Sequence, residues 1–92
     1  MTYEVAIDHR ALRELSDLPD QVRKRMIARI RALADDPRSV TTQQLQGRLR
    51  HLRKLRVGAY RAVYSVDDDI REVIVLAVGH RRDFYDAVAR RL

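Results

Sequence analysis

The chain has 92 residues, a length that allows one domain with one hydrophobic core. Lysine and arginine outnumber aspartate and glutamate by 19 to 13, and the formal net charge of +6 favours nucleic acid or an acidic protein as partner. The chain contains no cysteine, which excludes disulfide bridges and thiolate metal sites. No apolar run approaches the ~20 residues of a membrane span, and the N-terminus lacks a signal-peptide pattern, so we expect a cytoplasmic protein without membrane contact.

The first part of the chain predicts a strand followed by two helices. Residues 3–7 alternate with period two, as a half-buried strand does. Asp8 suits the N-cap of a helix over 9–18, in which Leu12 and Leu15 supply the apolar stripe. A proline then interrupts this helix and suits the first turn of a second one. The apolar residues of that second helix recur at helical spacing: Val22, Met26, Ile30 and Leu33.

The rest of the chain predicts a three-stranded antiparallel meander and a closing helix. Residues 39–47 are polar and irregular and predict a connection. Two strand-like segments then flank Gly58-Ala59, a short hairpin turn, and a three-aspartate turn follows. The unbroken apolar run 73–78 indicates a buried central or near-central strand, and residues 83–92 can form a helix. We therefore predict a single α+β domain over residues 1–92, built from an N-terminal strand, a helical hairpin, the meander and a C-terminal helix.

A window of one-signed charge is the main indication of function. Residues 37–66 contain no aspartate or glutamate, yet they hold Arg38, Arg48, Arg50, His51, Arg53, Lys54, Arg56 and Arg61. The surface of an average protein carries interspersed positive and negative side chains, because scattered opposite charges keep electrostatic self-repulsion low. The window therefore predicts a surface that binds a polyanion. Since apolar residues alternate with these charges, we expect the surface to be folded rather than a disordered tail.

Strand geometry predicts which of these charges share a face. Period two places Lys54 and Arg56 together, with Leu55 on the other side. Because Leu55 suits the core, we expect Lys54 and Arg56 on an open face, joined by Arg61 from the return strand. Arg81 follows the next strand and can converge on the same place.

Metal and cofactor chemistry have little support in the sequence. The three histidines, His9, His51 and His80, lack the i, i+4 spacing of metal ligands. The glycines are isolated and form no loop that could cradle a phosphate. We therefore predict no metal and no cofactor.

Four short motifs follow one another along the second half of the chain. They are Lys-Leu-Arg at 54–56, Tyr-Arg-Ala-Val-Tyr at 60–64, the three aspartates at 67–69, and Val-Gly-His-Arg at 78–81 with Tyr85 four positions on. In this order the chain resembles the RelE/ParE superfamily of type II toxins, and looks closer to the RelE branch. The resemblance spans nearly the whole chain and implies a RelE-like fold of the microbial ribonuclease type.

The same resemblance implies an activity and partners. Members of the RelE branch are messenger-RNA interferases, metal-independent endoribonucleases that cleave codons in the ribosomal A site and inhibit translation. The implied partners are mRNA on the ribosome and a cognate acidic, RelB-like antitoxin, which silences the toxin in a hetero-oligomeric complex.

Roles for individual residues follow from the matching motifs. By resemblance, Lys54 activates the 2′-hydroxyl or stabilises charge, Arg61 and Arg81 contact the scissile phosphate, and Tyr85 orients the substrate or protonates the leaving group. His80 is a second candidate for the general base, because imidazole titrates near neutrality. A further group of arginines is predicted to bind RNA: Arg48, Arg50, Arg53, Arg56 and Arg82. One position departs from the family, since Leu52 stands where members often have a basic residue.

Two other functions remain open on the sequence. The first is a ParE-like toxin that poisons a topoisomerase without ribonuclease activity. The ParE branch usually lacks a set of residues that this chain has, which argues against this function: Lys54, Arg61, Arg81 and Tyr85. The second is a non-catalytic RNA-binding module. The aromatic content of 5% offers little for base stacking in such a module.

Overall fold

A five-stranded sheet organises the chain. The computed structural model describes residues 2–80 and 84–91. Its elements in chain order are β1 (Glu4–Ile7), α1 (His9–Ser16), α2 (Asp20–Ala32), β2 (Thr42–Gln44), a 3₁₀ turn (Gly47–Leu49), β3 (Arg53–Val57), β4 (Tyr60–Asp67), β5 (Glu72–Gly79) and α3 (Phe84–Arg91). None of the helices in these described ranges is long and apolar enough to cross a membrane.

The predicted meander forms the middle of this sheet, and a further strand lies on each side. The strand order is β1-β5-β4-β3-β2, with β1 parallel to β5 and all other neighbours antiparallel. The α+β class is therefore confirmed. The prediction that residues 39–47 form an irregular connection is wrong in part, because Thr42–Gln44 pairs with Arg53–Leu55 as the edge strand β2.

One face of the sheet, here called the hairpin face, is covered by α1 and α2. Its core contains Leu55, Val57, Ala62, Tyr64, Val73 and Val75 from the strands. Helix α1 packs there through Ala11 and Leu15, which are four residues apart and share a side of the helix. The prediction for Leu12 is wrong, since it is 53% exposed. Asp8 caps α1 as predicted, accepting a hydrogen bond of 2.9 Å from the Arg10 amide.

The opposite face, here called the α3 face, holds a second and smaller core. Val63 and Ala77 from the sheet and Leu52, just before β3, pack there with Phe84 and Val88 of α3. Leu52, the position at which the sequence departs from the resemblance, is 1% exposed and belongs to this core. We predicted that the face with Lys54 is open. This prediction is wrong in part, because α3 covers some of that face.

Arg91 fixes the end of α3 to the sheet. Strand β1 pairs with β5 only as far as Val75, so the following backbone groups of β5 lack a strand neighbour on that side. Side chains replace it: Glu14 of α1 accepts from the Val78 amide at 3.1 Å, and Arg91 donates to the Leu76 carbonyl at 3.2 Å. Glu14 and Arg91 also form an ion pair of 2.6 Å, which raises the pKa of the Arg91 guanidinium. This ion pair links the two helices across the sheet edge.

Candidate functional site

A β-bulge directs the end of β5 toward the α3 face. Val63 lies opposite Ala77 and Tyr64 lies opposite Val75, so Leu76 is an extra residue in β5. Bulges of this kind shift side-chain alternation and recur near active sites. Val73 and Val75 therefore face the hairpin core, whereas Ala77 faces the α3 core. Gly79 follows with the parity of Ala77, directly opposite Arg61.

Gly79 provides the space in which α3 packs against β5. A Cβ atom at this position would overlap the ring of Phe84, so a larger residue cannot stand there unless the Phe84 side chain or α3 moves. The ring of Phe84 in turn contacts the ring of Tyr85, with centroids 5.4 Å apart. The requirement for glycine at position 79 thus positions Tyr85. The sequence showed Gly79 only as part of the Val-Gly-His-Arg motif and could not indicate its contact with Phe84, because that contact depends on the path of α3.

Three of the predicted catalytic side chains meet on the α3 face. The Nζ atom of Lys54 lies 5.3 Å from the centroid of the Tyr85 ring, and the Cζ atom of Arg61 lies 5.8 Å from the same centroid. Both distances are within the range of cation–π attraction. We call Lys54, Arg61 and Tyr85 the cationic cluster.

Two polar groups of this cluster are buried without a hydrogen-bond partner among the described residues. They are the Nε–H of Arg61 and the hydroxyl of Tyr85. A buried donor without an acceptor costs about 1–3 kcal/mol. Such groups are uncommon in folded proteins and need an explanation, of which an absent ligand is one.

Arg56 adds a like charge beside the cluster. It lies directly opposite Arg61 in the β3–β4 ladder and is exposed. Like charges in cross-strand pairs destabilise a sheet. Lys54 lies two residues away on the same face, so positive charge is concentrated where α3 leaves the sheet uncovered.

His80 lies apart from the cationic cluster. Its ring packs against the ring of Tyr60, with centroids 4.7 Å apart. Tyr60 packs against the core of the hairpin face, and it pairs in the ladder with Val57 of the same core. His80 is thus associated with the side of the sheet opposite Lys54, and the structure does not bring this candidate base to the cluster.

Comparisons with known proteins agree with the motifs. The family model described as "ParE toxin of type II toxin-antitoxin system, parDE" matches residues 5–85. The mRNA interferase toxin RelE of Escherichia coli K12 is 32% identical over 95 residues, covering 100% of this chain and 99% of that protein. The chain belongs to the RelE/ParE superfamily of type II toxins. The resemblance predicted from the sequence is confirmed.

Solved structures of related toxins share this fold. A mutant E. coli toxin RelE in the free state has a TM-score of 0.82 and 28% identity, covering 100% of this chain and 99% of its own. The toxin–antitoxin complex RelBE2 from Mycobacterium tuberculosis contains a chain with a TM-score of 0.78 and 28% identity, covering 88% of this chain and 100% of its own. The predicted RelE-like fold is confirmed.

The remaining predicted RNA-binding arginines of this toxin do not form a single patch. Arg48 and Arg50 are exposed in and after the 3₁₀ turn. Arg53 lies opposite Tyr64 on the hairpin face and donates to the Thr42 hydroxyl at 3.0 Å. Arg81 and Arg82 lie outside the described residues, so their predicted roles stay predictions.

A basic cavity of about 390 Å³ lies beside Arg53. Its lining includes Arg50, His51 and Arg38. Arg38 is not an unpaired cation of the basic window, because it forms a two-pronged ion pair with Asp68 at 2.9 and 3.1 Å. The sequence could not indicate this pair, since the two residues are thirty positions apart. In the described parts of the toxin, no group of three or more acidic, histidine or cysteine side chains could hold a metal ion.

Proposed function

We propose that this toxin is a ribosome-dependent endoribonuclease that cleaves messenger RNA and inhibits translation, and that a cognate antitoxin silences it. Membership of the superfamily supports the toxin role, and the name of the E. coli relative gives the reaction. We also propose that it acts in the cytoplasm, where ribosomes are. The observation that carries the proposal is the cationic cluster, in which the Arg61 Nε and the Tyr85 hydroxyl are buried and have no partner among the described residues.

The reaction needs few chemical groups, and the cluster holds a suitable set. The 2′-oxygen of a ribose attacks the adjacent phosphorus, the bond to the 5′-oxygen breaks, and the products are a 2′,3′-cyclic phosphate and a 5′-hydroxyl. A base must take the proton from the 2′-oxygen, and an acid must supply one to the 5′-oxygen. We assign the first role to Lys54 and the second to the Tyr85 hydroxyl.

Arg61 is assigned to the phosphate itself. Negative charge grows on the two non-bridging oxygens as the 2′-oxygen attacks, and a fixed donor there stabilises the transition state. Arg61 is half-buried and its Cζ lies 5.8 Å from the centroid of the Tyr85 ring, so its side chain is restricted before the reaction begins. Arg81, from outside the described residues, is proposed as the second arginine on the phosphate. No metal is assigned a role.

The antitoxin is proposed to be an acidic, RelB-like protein that forms a hetero-oligomer with the toxin. Charge complementarity to the basic window supports this partner. The M. tuberculosis and E. coli relatives are both solved as toxin–antitoxin complexes. Expression of the toxin alone should arrest growth, and co-expression of its antitoxin should reverse the arrest.

The decisive experiment compares the chain's two lysines. Lys54→Ala should lose ribosome-programmed mRNA cleavage by about 10²–10⁴-fold, the usual contribution of one general base. Its RNA affinity should change little, because one phosphate contact among many adds roughly one unit to the salt slope. Lys24→Ala is the matched control, since Lys24 is the only other lysine and is exposed on α2. Equal cleavage by both variants would remove Lys54 from the mechanism.

The name of the matching family model favours one further candidate, a ParE-like toxin that acts on a topoisomerase. A supercoiling assay run beside the cleavage assay separates the two. Cleavage without inhibition of supercoiling supports the proposal, and inhibition without cleavage supports the alternative. RNA binding with neither effect and no growth arrest would leave a non-catalytic RNA-binding module.

A further inference from the structure

A cavity of about 540 Å³ opens beside the cationic cluster. Lys54 and Tyr85 form part of its wall, and the rest of the lining includes Gln43, Gln46, Leu45 and Leu49. The volume falls within the ~300–1,000 Å³ of typical small-molecule sites. The proposed chemistry uses only Lys54 and Tyr85, so the glutamine and leucine side of the cavity has no role yet.

Gln43 is the polar group closest to the cluster in the strand register. It lies directly opposite Lys54 in the β2–β3 ladder, so the two side chains leave the sheet on the same face. Side chains in such a pair have Cβ atoms about 4.5–5.5 Å apart. β2 is an edge strand, and within the described residues the side-chain amide of Gln43 makes no hydrogen bond. The neighbouring Gln44 differs, because its Nε2 donates to the Arg50 carbonyl at 2.6 Å.

The composition of the cavity suits a nucleobase. Leu45 is buried and Leu49 is half-buried, and together with the Tyr85 ring they offer apolar surface to a flat heterocycle. A glutamine amide presents one donor and one acceptor side by side, the arrangement that reads the edge of adenine in nucleic-acid complexes. The lining residues include no carboxylate, so the cavity does not repel a nucleotide.

We propose that this cavity binds the base of a nucleotide next to the scissile phosphate, and that the Gln43 amide discriminates among bases. This inference rests on the proposed function, because it names part of the substrate of the same site. When the scissile phosphate lies at Arg61 and Lys54, the base of an adjoining nucleotide lies beside Gln43, because Gln43 is the cross-strand partner of Lys54. Gln43 is therefore a specificity-determining residue, and it contributes to the sequence preference of cleavage.

The first test measures base preference with matched glutamine variants. Gln43→Met removes the amide and keeps the length of the side chain. Gln21→Met makes the same change on the exposed surface of α2. Cleavage of a ribosome-bound message library, randomised at the codon, gives the ratio of kcat/KM between the most and least favoured bases. Loss of a bidentate base contact should lower this ratio by about fivefold to 150-fold in Gln43→Met. Gln21→Met should keep the wild-type ratio.

Two results of this test overturn the inference. One is an unchanged ratio in Gln43→Met, and the other is a wild-type toxin that cleaves with no base preference. A fall in cleavage of every codon by the same factor is a case of the first result, because the ratio is then unchanged and Gln43 acts on catalysis or folding rather than on base choice.

The second test does not depend on cleavage. The wild-type toxin is titrated with the four nucleoside 5′-monophosphates while NMR follows the side-chain amide of Gln43, with inorganic phosphate as the control. The inference expects a shift of this amide that differs among the bases and is absent with phosphate. If the toxin cleaves no RNA but the shift occurs, the proposed function fails and the base site stands. If no base shifts this amide, the base site fails.

Discussion

Arg61 occupies a position that lowers the stability of the folded toxin. It lies opposite Arg56, a like charge, and its Nε–H is buried without a partner in the described residues. If only stability mattered, both features would favour another residue in place of Arg61. Residues that oppose stability are expected at functional sites. The pair therefore supports the proposed role of Arg61 as a phosphate ligand.

We predict that Arg61→Gln loses cleavage without losing stability. The change removes the like-charge contact and keeps most of the side-chain volume, so the melting temperature should stay the same or rise. Cleavage should fall by about 10²–10³-fold, as for loss of one preorganised donor. Arg56→Gln relieves the same repulsion from the exposed partner and should reduce affinity for RNA only modestly. If both variants cleave equally well, Arg61 is not the phosphate ligand.

Tyr85 has two separable parts, a ring and a hydroxyl. The ring contacts Lys54 and Arg61, whereas the hydroxyl is buried and without a partner in the described chain. We predict that Tyr85→Phe keeps or raises the melting temperature, because it removes a buried unpaired group and no packing. Cleavage should fall through kcat, with little change in KM, if the hydroxyl acts in the transition state. Wild-type kcat in this variant would show that Tyr85 contributes its ring alone.

At the scale of elements, the position of α3 depends on the β5 bulge and Gly79. We predict that Gly79→Ala displaces α3, because the new Cβ overlaps the Phe84 ring. Hydrogen exchange of α3 amides should accelerate while amides of β4 stay protected, and cleavage should fall with the loss of Tyr85 from the cluster. Combining Gly79→Ala with Phe84→Leu should recover part of the stability, since the smaller side chain leaves room for the Cβ. Additive losses in the double variant would contradict this steric explanation.

The sequence predicted most elements but not the features that assemble the site. The run 73–78 indicates a strand, yet the bulge at Leu76 leaves no signal, because every residue in the run is apolar and suits either face. Strand β2 was missed because its three polar residues, Thr-Gln-Gln, owe their conformation to pairing with β3 rather than to their own pattern. Gln43 was missed with it. Lys54 and Arg61 were placed on their face correctly, since alternation within a strand is local.

At the scale of the whole molecule, Asp68 connects three distant parts of the chain. It accepts a hydrogen bond of 2.6 Å from the Tyr3 hydroxyl at the start of β1, and it pairs with Arg38 after α2, while it lies itself in the β4–β5 turn. Hydrogen bonds from Arg38 and then Tyr3 hold the pKa of the Asp68 carboxyl below its usual value. A lowered pKa in the folded state means that the ionised carboxylate stabilises the fold.

We predict that Asp68→Asn makes the stability of the toxin less sensitive to acid. Because the pKa of Asp68 is lower in the folded than in the unfolded protein, its contribution is present above the unfolded value of 3.8 and is lost as pH falls through the folded value. The urea midpoint of the wild type should exceed that of Asp68→Asn at neutral pH, and the difference should shrink below about pH 4. The difference should also shrink at high salt, because the ion pair between Arg38 and Asp68 is exposed and screened.

Asp69→Asn, an exposed change in the same turn, is the control and should follow the wild type. A difference between wild type and Asp68→Asn that persists unchanged to pH 2 would mean that Asp68 stabilises the turn without its charge.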